Sequence, residues 1–511
     1  MRYFLLLATH LLLRFSLLAQ PQPGTYNVRT YGATGNGKAL DTSAINKAIG
    51  AAAAAGGGTV YFPAGAYASF SVRLQSNITL FLDQGATLLA ADPPADGTGG
   101  YDAPEPTVSD KFQDFGHSHW HNSLIWGENL VNVAILGPGL IHGKGLTRGG
   151  SPKPGVGNKA IALKLCRNVL IRDVTVLYGG HFGILATGLD NFTVDNVKMD
   201  TNRDGIDVDC CRHVRISNCT INSPWDDAIC LKSSYALGFP RATENVTITN
   251  CQVTGYDRGT FYDGTYQRRE AALVPDKMDV TGRIKFGTES NGGFRNITIA
   301  NCVFEYCRGL ALETVDGGLL EDVTITNLTM RDIVNAPLFL RLGARLRGPE
   351  GTPAGALRRV HISNVVVSNA DPKYGCIISG IAGHAIEDVT LDNIRIEYQG
   401  GGTAAQAAIV PPEAEKDYPD PGHMGEMPAY GFFIRHVQGL EMRNIDIRYQ
   451  KEDQRPPFVL VDVQGISLRN IKAQHPATVP AFTLQSVAGF SIRDSELLAD
   501  KQVKQMARGK L

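Results

Sequence analysis

Asn202-Arg203-Asp204-Gly205 and Pro224-Trp225-Asp226-Asp227 place three carboxylates in two short stretches of chain. Carboxylates gathered at one point repel, and at least one should hold its proton above the usual range. One protonated and two ionised carboxyls can protonate a leaving oxygen and activate a water, which is the equipment of glycoside hydrolysis. A single aspartate in a turn is ordinarily just solvated. The case for chemistry therefore depends on whether the chain stacks these residues.

A repeated phrase does the stacking. Its form is Asn/Asp/Arg, apolar, x, apolar, x, Asn/Asp, apolar, x, apolar, as in NVLIRDVTV from Asn168, NFTVDNVKM from Asn191 and NVTITNCQV from Asn245. Further copies run as far as FSIRDSEL from Phe490. Apolar residues alternate at period two within each copy, so each is a half-buried strand. Val169 to Phe192 is 23 residues and Phe192 to Val214 is 22, the length of one coil of a parallel β-solenoid. Two spacings, 246 to 297 and 389 to 440, are nearly double and imply insertions. The fold class expected is all-β: a right-handed, single-stranded parallel β-helix with an N-terminal capping helix over 41–55. The recurring Asn is read as a turn residue whose amide bonds its neighbours in adjacent coils. The Asn-X-Thr sequons fall in this phrase and are read as strand chemistry, not glycan sites. Asp204 lies 12 residues past Phe192, and Asp226 lies 12 past Val214. Equal phase predicts that they stack at ~4.8 Å.

Composition narrows the partners. The 511 residues carry 49 Lys plus Arg against 50 Asp plus Glu, a net charge of -1, which gives no reason to expect nucleic acid or an anionic membrane. Residues 1–19 read as a secretory signal, which implies export to the periplasm or outside the cell, and 20–511 as one catalytic domain. A second long apolar run is absent, so no membrane insertion is expected. The nine Cys lack zinc-like spacing, and three follow Asn in the repeat, which argues for buried free thiols. No cofactor or metal is expected. His117, His119 and His121 alternate and could form a metal set, but a loop wall beside Trp120 is the better reading. Loops at 91–122, 255–281, 341–357 and 399–430 interrupt the repeat and should wall a groove.

Asn202-x-Asp204 and Asp226-Asp227 resemble the catalytic motifs of glycoside hydrolase family 28, the polygalacturonases. Tyr26-Asn27-Val28-Arg29, Tyr31-Gly32-Ala33 and Gly143-Lys144-Gly145 resemble the opening of that β-helix superfamily. The resemblance runs from about residue 25 to 475. It implies inverting hydrolysis of α-linked galacturonate in pectic oligo- or polysaccharides. Asp226 would be the general acid, Asp204 with Asp227 would activate water, and Lys232 would bind a sugar carboxylate. Asn202 is carried over as a substrate contact.

The sequence departs from the family in two places. Gly282 stands where a Gly-His-Gly histidine is expected, and Glu313, one coil later, where a lysine is expected. These departures point to rhamnogalacturonan-type oligosaccharides. Arg283 and Lys285 alternate onto one strand face and could bind the galacturonate carboxylate, with Glu313 bonding sugar hydroxyls or pairing with those cations. The insertions at 91–122 and 255–281 suggest exo action, and a monomer is expected. Rival readings are an α-rhamnosidase or xylogalacturonan hydrolase on the same fold, a β-helix polysaccharide lyase, and a non-catalytic carbohydrate-binding solenoid.

Overall fold

Asparagine turns this chain. Asn132, Asn168 and Asn191 have φ of 58°, 57° and 57°, in the left-handed region that costs most L residues about 1 kcal/mol or more. Each such bend directs the chain from one strand into the next. The amides offset the cost by bonding between coils: Asn132 Nδ2 donates to Asn77 Oδ1 at 2.8 Å, Asn168 to Asn132 at 2.9 Å, and Asn191 to Asn168 at 2.9 Å. Later coils build the same ladder from Asn301 to Asn327 and from Asn364 to Asn393.

The computed structural model describes residues 24–95, 98–107, 109–113, 115–268 and 280–511. The expected signal at 1–19 lies outside them, as do parts of the insertions at 91–122 and 255–281. The strands form a right-handed parallel β-helix, and the repeated phrase sets its register. Val169 pairs with Phe192, Phe192 with Val214, Val214 with Val246, and Val246 with Ile297. The near-double spacings thus join adjacent coils around insertions. Ile184, Ile206, Ile229 and Ile284 stack in another interior column, and one core cluster runs from Val28 to Ile492. All nine cysteines are buried and free, in agreement with the small-apolar reading.

Both ends are closed. The helix Thr42–Ala54 buries Ile45, Ala48, Ile49 and Ala52 over the first coil. Asp41, just before it, accepts from the Thr34 and Gly35 amides at 2.7 and 3.0 Å. At the other end Lys501–Lys510 pairs antiparallel with Phe482–Arg493, an element the repeat did not foretell. Among the described residues, no helix is long and apolar enough to cross a membrane.

One outer face positions the site. Along it stack Ala162, Leu185, Asp207, Cys230, Lys285, Ala311 and Phe339. Trp120, from the 91–122 insertion, covers Ala162, Phe182 and Leu185, and its Nε1 donates to Thr187 Oγ1 at 3.1 Å. Met424 and Met427, from the 399–430 insertion, cover Ala311, Phe339 and Ile377. Between these two apolar plugs the column runs through Asp207, Cys230 and Lys285, a span of two strand spacings, ~10 Å.

Candidate active site

The three carboxylates meet at the corner ahead of this face. Their oxygens lie within 4.8 Å of one another, and all three residues are buried. Asp226 is the most exposed, at 6%. The expected register is corrected by one residue. Ile206 pairs with Ile229, which puts Asp204 level with Asp227 and Arg203 level with Asp226. The turn 223–228 holds one residue more than the turn below it, and counting from the strand anchors could not see that. The Asp227 amide donates to Asp204 Oδ1 at 3.3 Å, and Arg203 pairs with Asp226.

One coil on, Gly282 has φ +61°, and a Cβ there would come within 2.3 Å of the Thr254 carbonyl, so no side chain fits at this corner. Arg283 and Lys285 follow it, but they do not face an empty subsite. Arg283 Nε lies 2.9 Å from Asp227 Oδ1, and its Nη2 lies 3.3 Å from Glu313 Oε1. Lys285 Nζ lies 3.3 Å from Asp227 and 3.5 Å from Glu313. Lys285 also donates to the Tyr418 hydroxyl at 3.0 Å. The partnership weighed for Glu313 is therefore the one found. Glu313 packs on Gly287, and the residue level with Gly282 is Arg308, paired with Asp420.

Lys232 is committed as well. Relative to Leu231 and Ser233, the partner strand pairs through Phe286 and Ser290, two residues more, and this bulge brings in Glu289. Lys232 Nζ lies 3.1 Å from Glu289 and 3.6 Å from Asp207. Burial opposes the charge of both Lys232 and Glu289, but attraction wins: Asp207 first and Glu289 after it raise Lys232, and Lys232 holds Glu289 well below the usual range. At the longer contact burial wins, and Asp207 is pushed well above the usual range, helped by Asp204. Glu313 is likewise raised by burial, because Arg283 and Lys285 sit closer to Asp227. Asp204 is raised to about 7 by burial and then by the charges of Asp226 and Asp227.

The histidines do not converge. His117 reaches toward Asp207 at 3.9 Å, His119 toward Asp110 at 3.7 Å, and His121 stacks on Trp126 and meets Glu128 at 3.1 Å. By distance, a cation could be held by His117, Asp204 and Asp207 or by the three-Asp cluster. Lys232, Arg203, Arg283 and Lys285 already supply positive charge to those carboxylates. Asn202 is buried at the same corner, with its Oδ1 lacking a hydrogen-bond partner among the described residues. Sequence reasoning missed Asp207, Glu289 and Tyr418. Asp207 had a signal, since it is an acid on a strand face whose neighbours in the two preceding coils are Leu185 and Ala162.

Residues 25–121 match the family described as rhamnogalacturonase A/epimerase, pectate lyase-like, and residues 159–339 match the right handed beta helix region. A probable polygalacturonase of Vitis vinifera is 26% identical over 462 residues, covering 86% of this chain and 77% of its own. An exo-poly-alpha-D-galacturonosidase of Dickeya chrysanthemi is 33% identical over 172 residues, 34% of this chain and 28% of that one. Among solved structures, the family 28 exopolygalacturonase of Yersinia enterocolitica has a TM-score of 0.66 at 19% identity, covering 89% of this chain and 79% of its own, a likeness of fold.

Proposed function

We propose that this protein, similar to a probable polygalacturonase and an exo-poly-alpha-D-galacturonosidase, is an exported hydrolase of α-linked galacturonate. Its substrates are pectic chains, with rhamnogalacturonan-type oligosaccharides preferred and taken from a chain end. The observation that carries this reading is the buried three-Asp cluster with one carboxyl raised to about 7. Such a cluster holds one proton as a unit. The proton resides on Asp204 at rest and reaches the glycosidic oxygen through Asp226, the carboxylate nearest the mouth. Asp227, whose charge Arg283 and Lys285 balance, activates the water together with Asp204.

Inversion is the expected outcome. The family resemblance implies inversion, whereas the nearest oxygens of the three carboxyls lie within 4.8 Å, closer than an inverting pair usually stands, so the first-formed anomer is the deciding readout. The two apolar plugs support exo action, because they leave a short floor that suits a chain end better than a threaded polymer. The test is to incubate the pure protein with polygalacturonate, rhamnogalacturonan backbone and short oligogalacturonides. Released sugars are identified by chromatography with mass detection, and the first-formed anomer by proton NMR. Free galacturonate of inverted configuration, with polymer viscosity falling late, is expected. An early viscosity drop overturns exo action, a retained anomer overturns the assigned roles, and products absorbing in the ultraviolet overturn hydrolysis.

A further inference from the structure

The cations that the sequence offered for a sugar carboxylate are spent inside the protein. Arg283, Lys285 and Lys232 are at most 5% exposed, and each is paired with buried acids. Their charge is already shared with protein acids, which leaves a galacturonate carboxylate to be met in part by other cations. The rim beside Asp226 carries them. Trp225, the residue before Asp226, is partly exposed. The Arg148 guanidinium lies 4.7 Å from its ring centroid, and that of Arg258 lies 4.8 Å away. The two arginines come from different loops at the same corner. His181 ties the Arg148 loop down by donating from Nδ1 to the Arg148 carbonyl at 2.7 Å. Asp200 ties the Arg258 loop down, accepting from the Gly259 amide at 2.8 Å and from the Tyr262 amide at 2.9 Å.

Two like charges on one indole repel, although each gains from the ring face. Arg258 is exposed. Guanidinium edges bind carboxylates through paired, charge-assisted hydrogen bonds, and two of them lie on the ring of the residue before Asp226. We propose that Arg148 and Arg258, held on Trp225, form the carboxylate-binding subsite through which a uronate is recognised next to the scissile bond. The indole is then a platform for the arginines rather than for a sugar face. This rests on the galacturonate reading for the identity of the sugar, but not for its charge.

The test compares Arg148→Gln, Arg258→Gln and their double variant with wild type on an oligogalacturonide and on its methyl ester of equal length. Binding of galacturonate, glucuronate and mannuronate oligomers is measured in parallel by calorimetry. Each substitution should raise KM for the acid about tenfold, leave kcat nearly unchanged and leave the ester unaffected, with Arg258→Lys recovering part of the loss. Unchanged preference for acid over ester, or equal loss on both substrates, overturns the subsite while the hydrolase reading stands. Arginine-dependent binding of another uronate, with no binding of galacturonate, keeps the subsite and removes the galacturonate reading. If wild type binds no uronate at all, both fall.

Discussion

Replacing Asp204 by Asn removes a carboxyl that the fold tolerates poorly as an anion. Asp204 is raised from 3.8 to about 7. At about 1.36 kcal/mol per pKa unit, folding loses about 4 kcal/mol when this group must ionise. The sign follows from the raised value. The native state holds the proton where the unfolded chain has released it, so the contribution is intact below pH ~4 and is lost as pH rises through ~7. About 2.5 kcal/mol of that loss falls between pH 5 and pH 8. Asn keeps the oxygen that accepts from the Asp227 amide, so the local bond survives. In urea denaturation the variant should therefore gain on wild type by about 2.5 kcal/mol from pH 5 to pH 8, while turnover falls by 10²–10⁴ or more. A gap between the two proteins that is the same at both pH values would refute the reasoning, whatever happens to turnover.

Arg283→Met should destabilise by roughly 3–5 kcal/mol in the same assay, because Asp227 and Glu313 lose a buried counter-charge; adding Glu313→Gln should recover part of it. Asn191→Ala places a Cβ-bearing residue without an amide at φ 57° and cuts the bond to Asn168. A loss of about 1–2 kcal/mol is expected, and a smaller one for Asn191→Gly. Trp120→Ala should uncover the floor at Ala162 and Leu185, and viscometry should then show internal cuts in long polygalacturonate that wild type does not make.

The stacking of the coils was legible because alternation and the recurring Asn act within a few residues: Val169, Phe192, Val214 and Val246 stand in one column as their spacing implied. The corner was legible only to within a residue. Strand anchors say nothing of turn length, and one extra residue in 223–228 moved Asp204 from Asp226 to Asp227. The fate of the cations was hidden for another reason. Lys285 on a strand face reads the same whether it meets solvent or Tyr418, which lies 133 residues away along the chain. The plug formed by Met424 and Met427 was invisible on the same ground, since its cluster joins an insertion to five successive coils, from Ala311 to Val459.

The two plugs bear on traffic as well as on specificity. A polymer held in an open groove can slide forward after each cut and present its next linkage without leaving. Here the floor stops at Trp120 on one side and at Met424 and Met427 on the other. Under the proposed exo action, a freed sugar beneath the rim would have to leave by the mouth through which the chain entered. Each cycle would then end with the polymer letting go, so turnover would be distributive and product would compete for the doorway.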